Sequence, residues 1–199
     1  MFNHSRRRIT AVYFIMALYM IVFAFLEYTA LVGTNPLQKY FLADYQLVML
    51  DQQYYRLLLS IFAGVGDVSL QGVLSLIIAC YVVHMLGSLV EELYGEFGLL
   101  FIYIASGLLG SLTGIFMMYN VSMGFSLGVM GLIGSLLAYL FLELRDEINT
   151  PFVQTLAIGF ILTLFDMLAS GIGMICYIVS GAIGFLIALV FIKFRKESD

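Results

Sequence analysis

The chain is written in long apolar runs separated by short polar breaks. A helix that crosses a bilayer needs about 20 mostly apolar residues, and six runs qualify or nearly so. They span Thr10 to Leu31, Val68 to Leu93, Phe97 to Tyr119, Phe125 to Leu144, Pro151 to Leu168, and Ile172 to Phe191. Pro151 suits the first turn of a helix, where its missing N–H costs nothing. The breaks after the third and fifth runs are very short, which forces an antiparallel hairpin at each. The predicted fold class is an all-α integral membrane protein, a six-helix bundle. It has a tail over residues 1–9, a first helix over 10–32, a long loop over 33–67, helices two to six over 68–193 and a tail over 194–199, all in one domain.

Basic residues orient this bundle, since they concentrate on the cytoplasmic side. Arg6, Arg7 and Arg8 precede the first run, Arg145 lies between the fourth and fifth, and Lys193, Arg195 and Lys196 follow the sixth. Six crossings put all of these on one side and leave Lys39 and Arg56 on the other. Five or seven would split the two basic ends. Both termini are therefore expected in the cytoplasm. A basic start followed by an apolar run also resembles a signal peptide. The run from Thr10 is too long for one, and no small-residue cleavage site follows.

Composition agrees. Hydrophobic residues make up 62% of the 199 and charged residues 11%, with a mean hydropathy of +1.04. Soluble domains carry about 25% charged residues, so a soluble globule is excluded, and so is a disordered chain. Two cysteines, Cys80 and Cys176, both inside apolar runs, do not make a disulfide framework. They are candidate neighbours in the bundle, but a metal site needs more ligands. A net charge of −4 offers no nucleic-acid surface. No cofactor is expected.

The loop from Gly33 to about Gly66 is rich in Tyr, Phe and Leu, which suits a segment lying in the membrane interface. Leu57 to Phe62 is a candidate short helix there, and Asp67 a candidate N-cap for the second long helix. Small residues at spacings of three and four let membrane helices approach closely. The third helix carries Ser106, Gly107, Gly110, Ser111 and Gly114, the fourth Gly131, Gly134, Ser135 and Ala138, and the sixth Gly173, Ser180, Gly181, Gly184 and Ala188. These stripes predict that the fourth and sixth helices touch. Glu27 and Asp166 fall near the non-cytoplasmic helix ends, as functional candidates or as groups reaching the headgroups. His84 reads as a packed, satisfied side chain.

Four segments carry a family resemblance. They are Gln53-Tyr54-Tyr55-Arg56-Leu57, then Gly87 to Gly95 with Glu91 at its centre, then Gly124-Phe125-Ser126-Leu127-Gly128-Val129-Met130-Gly131-Leu132-Ile133-Gly134, and the glycine stripe of the sixth helix. In order and topology the stretch from Asp51 to about Phe191 resembles the rhomboid family of intramembrane serine proteases. The resemblance implies a bundle with a cavity open to the non-cytoplasmic side, a nucleophile at Ser126, and motif roles for Arg56, Glu91 and Gly95.

The same resemblance shows what is missing. Serine needs a positioned base to take its proton. The family's histidine position, counted back from Gly184, holds Tyr177, and phenols, with pKa near 10, are poor bases at neutral pH. The two positions that hold the oxyanion in the family carry Ser75 and Ala79, and alanine cannot donate. Losing one such donor costs about 2.7–4 kcal/mol of transition-state stabilisation. The glycine after the nucleophile is Leu127, and Met130 replaces an aromatic residue. Neither His4 nor His84 is placed to reach Ser126. Ser126 then reads as an N-cap for the fourth helix.

The reading these residues support is an inactive rhomboid-like protein that binds transmembrane segments of partner proteins without cleaving them. The binding surface would be the groove beside the fifth helix together with the pocket near Ser126 and Tyr177. Two alternatives remain open: an active serine endopeptidase with an unconventional base, and an accessory subunit of a larger membrane complex. The compact form, without large extra domains, points to a bacterial cell membrane.

Overall fold

The computed structural model describes residues 10–31, 43, 45–62, 70–117, 125–142, 150–170 and 173–198. Among these the regular structure is helical: α1 (Ala11–Leu31), α2 (Tyr55–Ser60), α3 (Leu70–Phe116), α4 (Phe125–Leu142), α5 (Thr150–Ser170) and α6 (Met174–Ser198), with a π-helical turn at Gln46–Leu50. α3 is two helices merged across a bend at Gly95, where φ is 78° and ψ 175°. Those angles lie where a Cβ is strained and glycine is at home. The arms 70–94 and 96–116 are therefore separate rods.

By length and apolar composition, Leu76–Phe116 and Met174–Arg195 are long enough to cross a membrane, and Ala11–Leu26, Ser126–Leu142 and Pro151–Phe165 are shorter apolar helices. The long helices expose large apolar side chains, with Ile21, Ile77, Phe101, Phe165 and Leu186 each at least half exposed. Such outward apolar surface is what lipid, not water, accommodates.

The main core gathers one face of each rod: Val12, Ile15 and Tyr19 of α1, Val82, Val83, Leu86 and Val90 of the first arm, Leu99, Ile102 and Tyr103 of the second, and Leu132, Ile133 and Leu136 of α4. Close approach is set by small residues. A Cβ on Gly184 would overlap the backbone carbonyl of Gly131, and one on Gly134 would overlap that of Gly181. α4 and α6 thus touch backbone to backbone. The second arm joins them in the same way, because Gly131 faces Ser106 and Gly110 faces Ser180. The Ser180 hydroxyl donates to the Ser106 carbonyl at 3.1 Å. Gly107 faces Ile61, and Gly114 is buried.

One buried carboxylate fixes the end of α1. Glu91 Oε1 accepts the backbone N–H of Thr10 at 2.7 Å and of Ala11 at 3.2 Å, and Oε2 accepts that of Val12 at 3.0 Å. The first amides of a helix have no partners within it, and a carboxylate there also meets the positive end of the helix dipole. α1 therefore receives a cap from α3.

Several sequence expectations shift. The short loop helix lies at Tyr55–Ser60, two residues earlier than expected, because Arg56 N–H and Leu57 N–H already bond back to Gln53 and Tyr54. α6 runs to Ser198, past the apolar run that ends at Phe191; polar residues continue a helix as readily as apolar ones. His84 is exposed rather than packed, since its face of α3 turns outward. Cys80 packs against the main core while Cys176 belongs to a separate cluster, and both are free thiols, so they are not a pair. Asp67 and the side chains of Glu27, Ser75 and Asp166 lie outside the described residues.

Candidate functional site

Ser126 sits in the first turn of α4 and Tyr177 in the first turn of α6. The glycine seam holds these helices parallel, early residue against early residue, so the two side chains meet. The Ser126 hydroxyl and the Tyr177 phenol share a hydrogen bond of 3.0 Å. Ser126 is 1% and Tyr177 2% exposed. α4 starts at Phe125, two residues earlier than an N-cap role for Ser126 requires, so Ser126 lies inside the helix.

The surroundings are apolar. A small apolar cluster joins Ala43 and Val48 of the first loop to Ile115, Leu127, Cys176 and Tyr177, with Met49, Leu57 and Met130 packed against it. Loop residues thereby cover the hydroxyl pair. Leu127 is fully buried where a glycine would leave room for an oxyanion. Ala79 is buried in the main core and has no polar side-chain atom to offer.

The arrangement can exchange a hydrogen bond between two hydroxyls. A phenol keeps its proton at neutral pH, so it does not raise the nucleophilicity of a serine as an imidazole does. Among the described residues, no cluster of His, Cys, Asp or Glu is arranged to hold a metal ion.

The loop motif folds on itself. Arg56 is buried, and its Nε donates to Gln53 Oε1 at 2.6 Å. The same oxygen accepts from the Tyr55 hydroxyl at 3.1 Å, and the guanidinium lies 5.7 Å from the Tyr55 ring centre. Gln52 has a φ of 54°, unusual for a residue with a Cβ. Glu91 and Gly95 sit at the opposite end of the molecule from this motif, at the α1 cap and the α3 bend.

Sequence reasoning missed a second polar knot. The hydroxyls of Tyr19 and Tyr103 hydrogen-bond to each other, and the Tyr103 hydroxyl lies 3.4 Å from the Ile61 carbonyl. The Tyr103 ring also covers Gly128, where a Cβ would come within 2.5 Å of it. Tyr103 thus links α1, the loop end and the turn of α4 that carries Ser126. A signal was present in the sequence, as two tyrosines sit inside otherwise apolar helices. Their buried hydroxyls need partners.

Comparison with known proteins agrees with this architecture. A family model described as the Rhomboid domain matches residues 51–194. No curated protein and no solved structure matches the chain. The matched region contains Ser126, Tyr177, the Arg56 motif, Glu91 and the glycine seam; α1, which Glu91 caps, precedes it. With its helical fold and outward apolar faces, the chain belongs to the rhomboid family of intramembrane proteins.

Proposed function

We propose that this protein binds transmembrane segments of partner proteins and does not cleave them. The observation that carries the reading is the hydrogen bond between Ser126 and Tyr177: a phenol occupies the place where the chemistry requires a base. Ala79 and Leu127 support it, since neither helps an oxyanion. The covering of the pair by Ala43 and Val48 supports it too, because hydrolysis needs water at the serine.

The binding surfaces are the pocket around this pair and the groove beside α5. α5 buries just Leu156, Gly159 and Thr163 among its described side chains, a single stripe. One contact seats Leu86 at Gly159, and Phe152 packs beside Tyr139 of α4. A helix held so narrowly leaves lateral room for another. Each arm of α3 and each of the other four long helices crosses the bilayer once in this reading, with both ends on the cytoplasmic side of a bacterial membrane. The basic residues at both ends support that orientation.

The test uses the full chain reconstituted in lipid with a membrane-anchored reporter. No cleavage is expected, and no labelling of Ser126 by a fluorophosphonate. A reporter segment carrying a photo-crosslinker is expected to be captured intact beside α5. Cleavage that stops in Ser126→Ala would overturn the proposal.

A further inference from the structure

We propose that the groove between α1 and the 70–94 arm, at Tyr13, Tyr81 and His84, binds the phosphodiester headgroup of a membrane phospholipid. The proposal goes beyond the reading above and does not depend on whether Ser126 is active.

The three side chains are polar groups on an otherwise apolar outer face. His84 is exposed, with its ring 5.9 Å from that of Tyr13 and tilted by 36°. Tyr13 and Tyr81 are each 55% exposed. Tyr81 precedes His84 by three residues, so the two share a helix face, and Ile77 continues that stripe one turn further. Among the described residues, neither the His84 ring nitrogens nor the Tyr13 and Tyr81 hydroxyls make a hydrogen bond. The nearby Ser88 hydroxyl is already committed, donating to the His84 carbonyl at 2.6 Å.

Their level along the helices selects the ligand. Glu91 ties the end of the arm to the first residues of α1, so both rods reach the membrane surface there. Tyr13 stands in the first turn of α1. His84 lies seven residues before Glu91, about 10 Å along a helix, against a headgroup layer of roughly 5–8 Å. Tyr13 closes that gap, because side chains lean toward the start of their own helix and α1 starts at this end. The Tyr13 phenol O–H and, at the inner edge, the imidazole N–H of His84 are donors to the acceptor oxygens of a phosphodiester, while Tyr81, about 15 Å along the helix from Glu91, is level with the glycerol ester carbonyls. The exposed Ile77 offers an acyl chain an apolar track. Arg6, Arg7 and Arg8, just ahead of α1 in sequence, add positive charge at the same end of the chain.

Native mass spectrometry of the full chain in mild detergent tests this. The probes are phosphatidylglycerol, phosphatidylcholine and diacylglycerol with matched acyl chains. Both phospholipids should be retained over diacylglycerol. The double variant Tyr13→Phe, His84→Ala should lose that retention by roughly tenfold. His84→Gln, which keeps a donor, and Tyr28→Phe, at the far end of α1, should retain it. Unchanged thermal melting of the variants separates lipid loss from unfolding. Equal retention of all three lipids, equal retention by wild type and the double variant, or His84-dependent crosslinking to a protein segment in place of lipid would overturn the proposal.

Discussion

The seam between α4 and α6 and the attachment of α5 are two answers to the same packing problem. At the seam, backbone meets backbone, with Gly131 against Gly184 and Gly134 against Gly181. Nothing there can yield, because a carbonyl has no alternative rotamer. At α5, the notch of Gly159 receives the tip of Leu86, a side chain that can rotate. The seam fixes Ser126 and Tyr177 to within a hydrogen bond. The α5 contact fixes little. A protein that holds its pocket rigidly and one wall loosely is suited to admitting a helix from the side, whether or not it then cuts.

The contrast breaks most sharply at the seam. Gly184→Val should separate α4 from α6, at or above the top of the ~1–3 kcal/mol range for overpacked cores. Chemical unfolding in detergent would read the loss. A stable Gly184→Val protein would show that the seam yields after all. Glu91→Ala comes next, since it removes a charged acceptor from three amides at once. A loss of about 2–3 kcal/mol is expected. Proteolytic nicking near Thr10 should rise as α1 frays, while the Ser126 region keeps its protection.

The seam was legible in the sequence because backbone contact leaves a compositional trace: glycines at spacings of three and four on two separate helices. The bend at Gly95 was legible because charged and polar residues interrupt the apolar run there. The Tyr177 position came from the family's spacing counted back from Gly184, and the structure sets its phenol 3.0 Å from the Ser126 hydroxyl. What could not be read was the first loop. Its π turn at Gln46–Leu50 and the burial of Ala43 and Val48 depend on surfaces contributed by α3, α4 and α6, and a local pattern does not encode distant partners. His84 failed for a related reason. In a membrane protein the outer face is as apolar as the core, so a histidine among apolar residues does not reveal which way it points.

The loose wall should respond more mildly. In Gly159→Ala, the new Cβ would lie 2.6 Å from Leu86 Cδ1, the end of a flexible side chain. Leu86 can turn or α5 can move outward, so about 1 kcal/mol is expected. Crosslinking between cysteines placed on α5 and the 70–94 arm should fall while the α4–α6 distance stays fixed. If both helix pairs separate together, the bundle is one rigid unit and the contrast fails.

The smallest effect belongs to the hydroxyl pair. Tyr177→Phe keeps the ring in its packed place and deletes the bond to Ser126. Hydrogen bonds between helices in a membrane average about 0.6 kcal/mol, so the loss should be of that size. Its value lies in what else it reads. If the phenol were an unconventional base, removing its oxygen would abolish cleavage of a reporter that wild type cuts. If the pair is a packed remnant, capture of an intact transmembrane segment should be unchanged, because the apolar walls made by Leu127, Cys176 and the Tyr177 ring remain. A large drop in stability would mean that this hydrogen bond, and not the glycine seam, holds the first turns of α4 and α6 together.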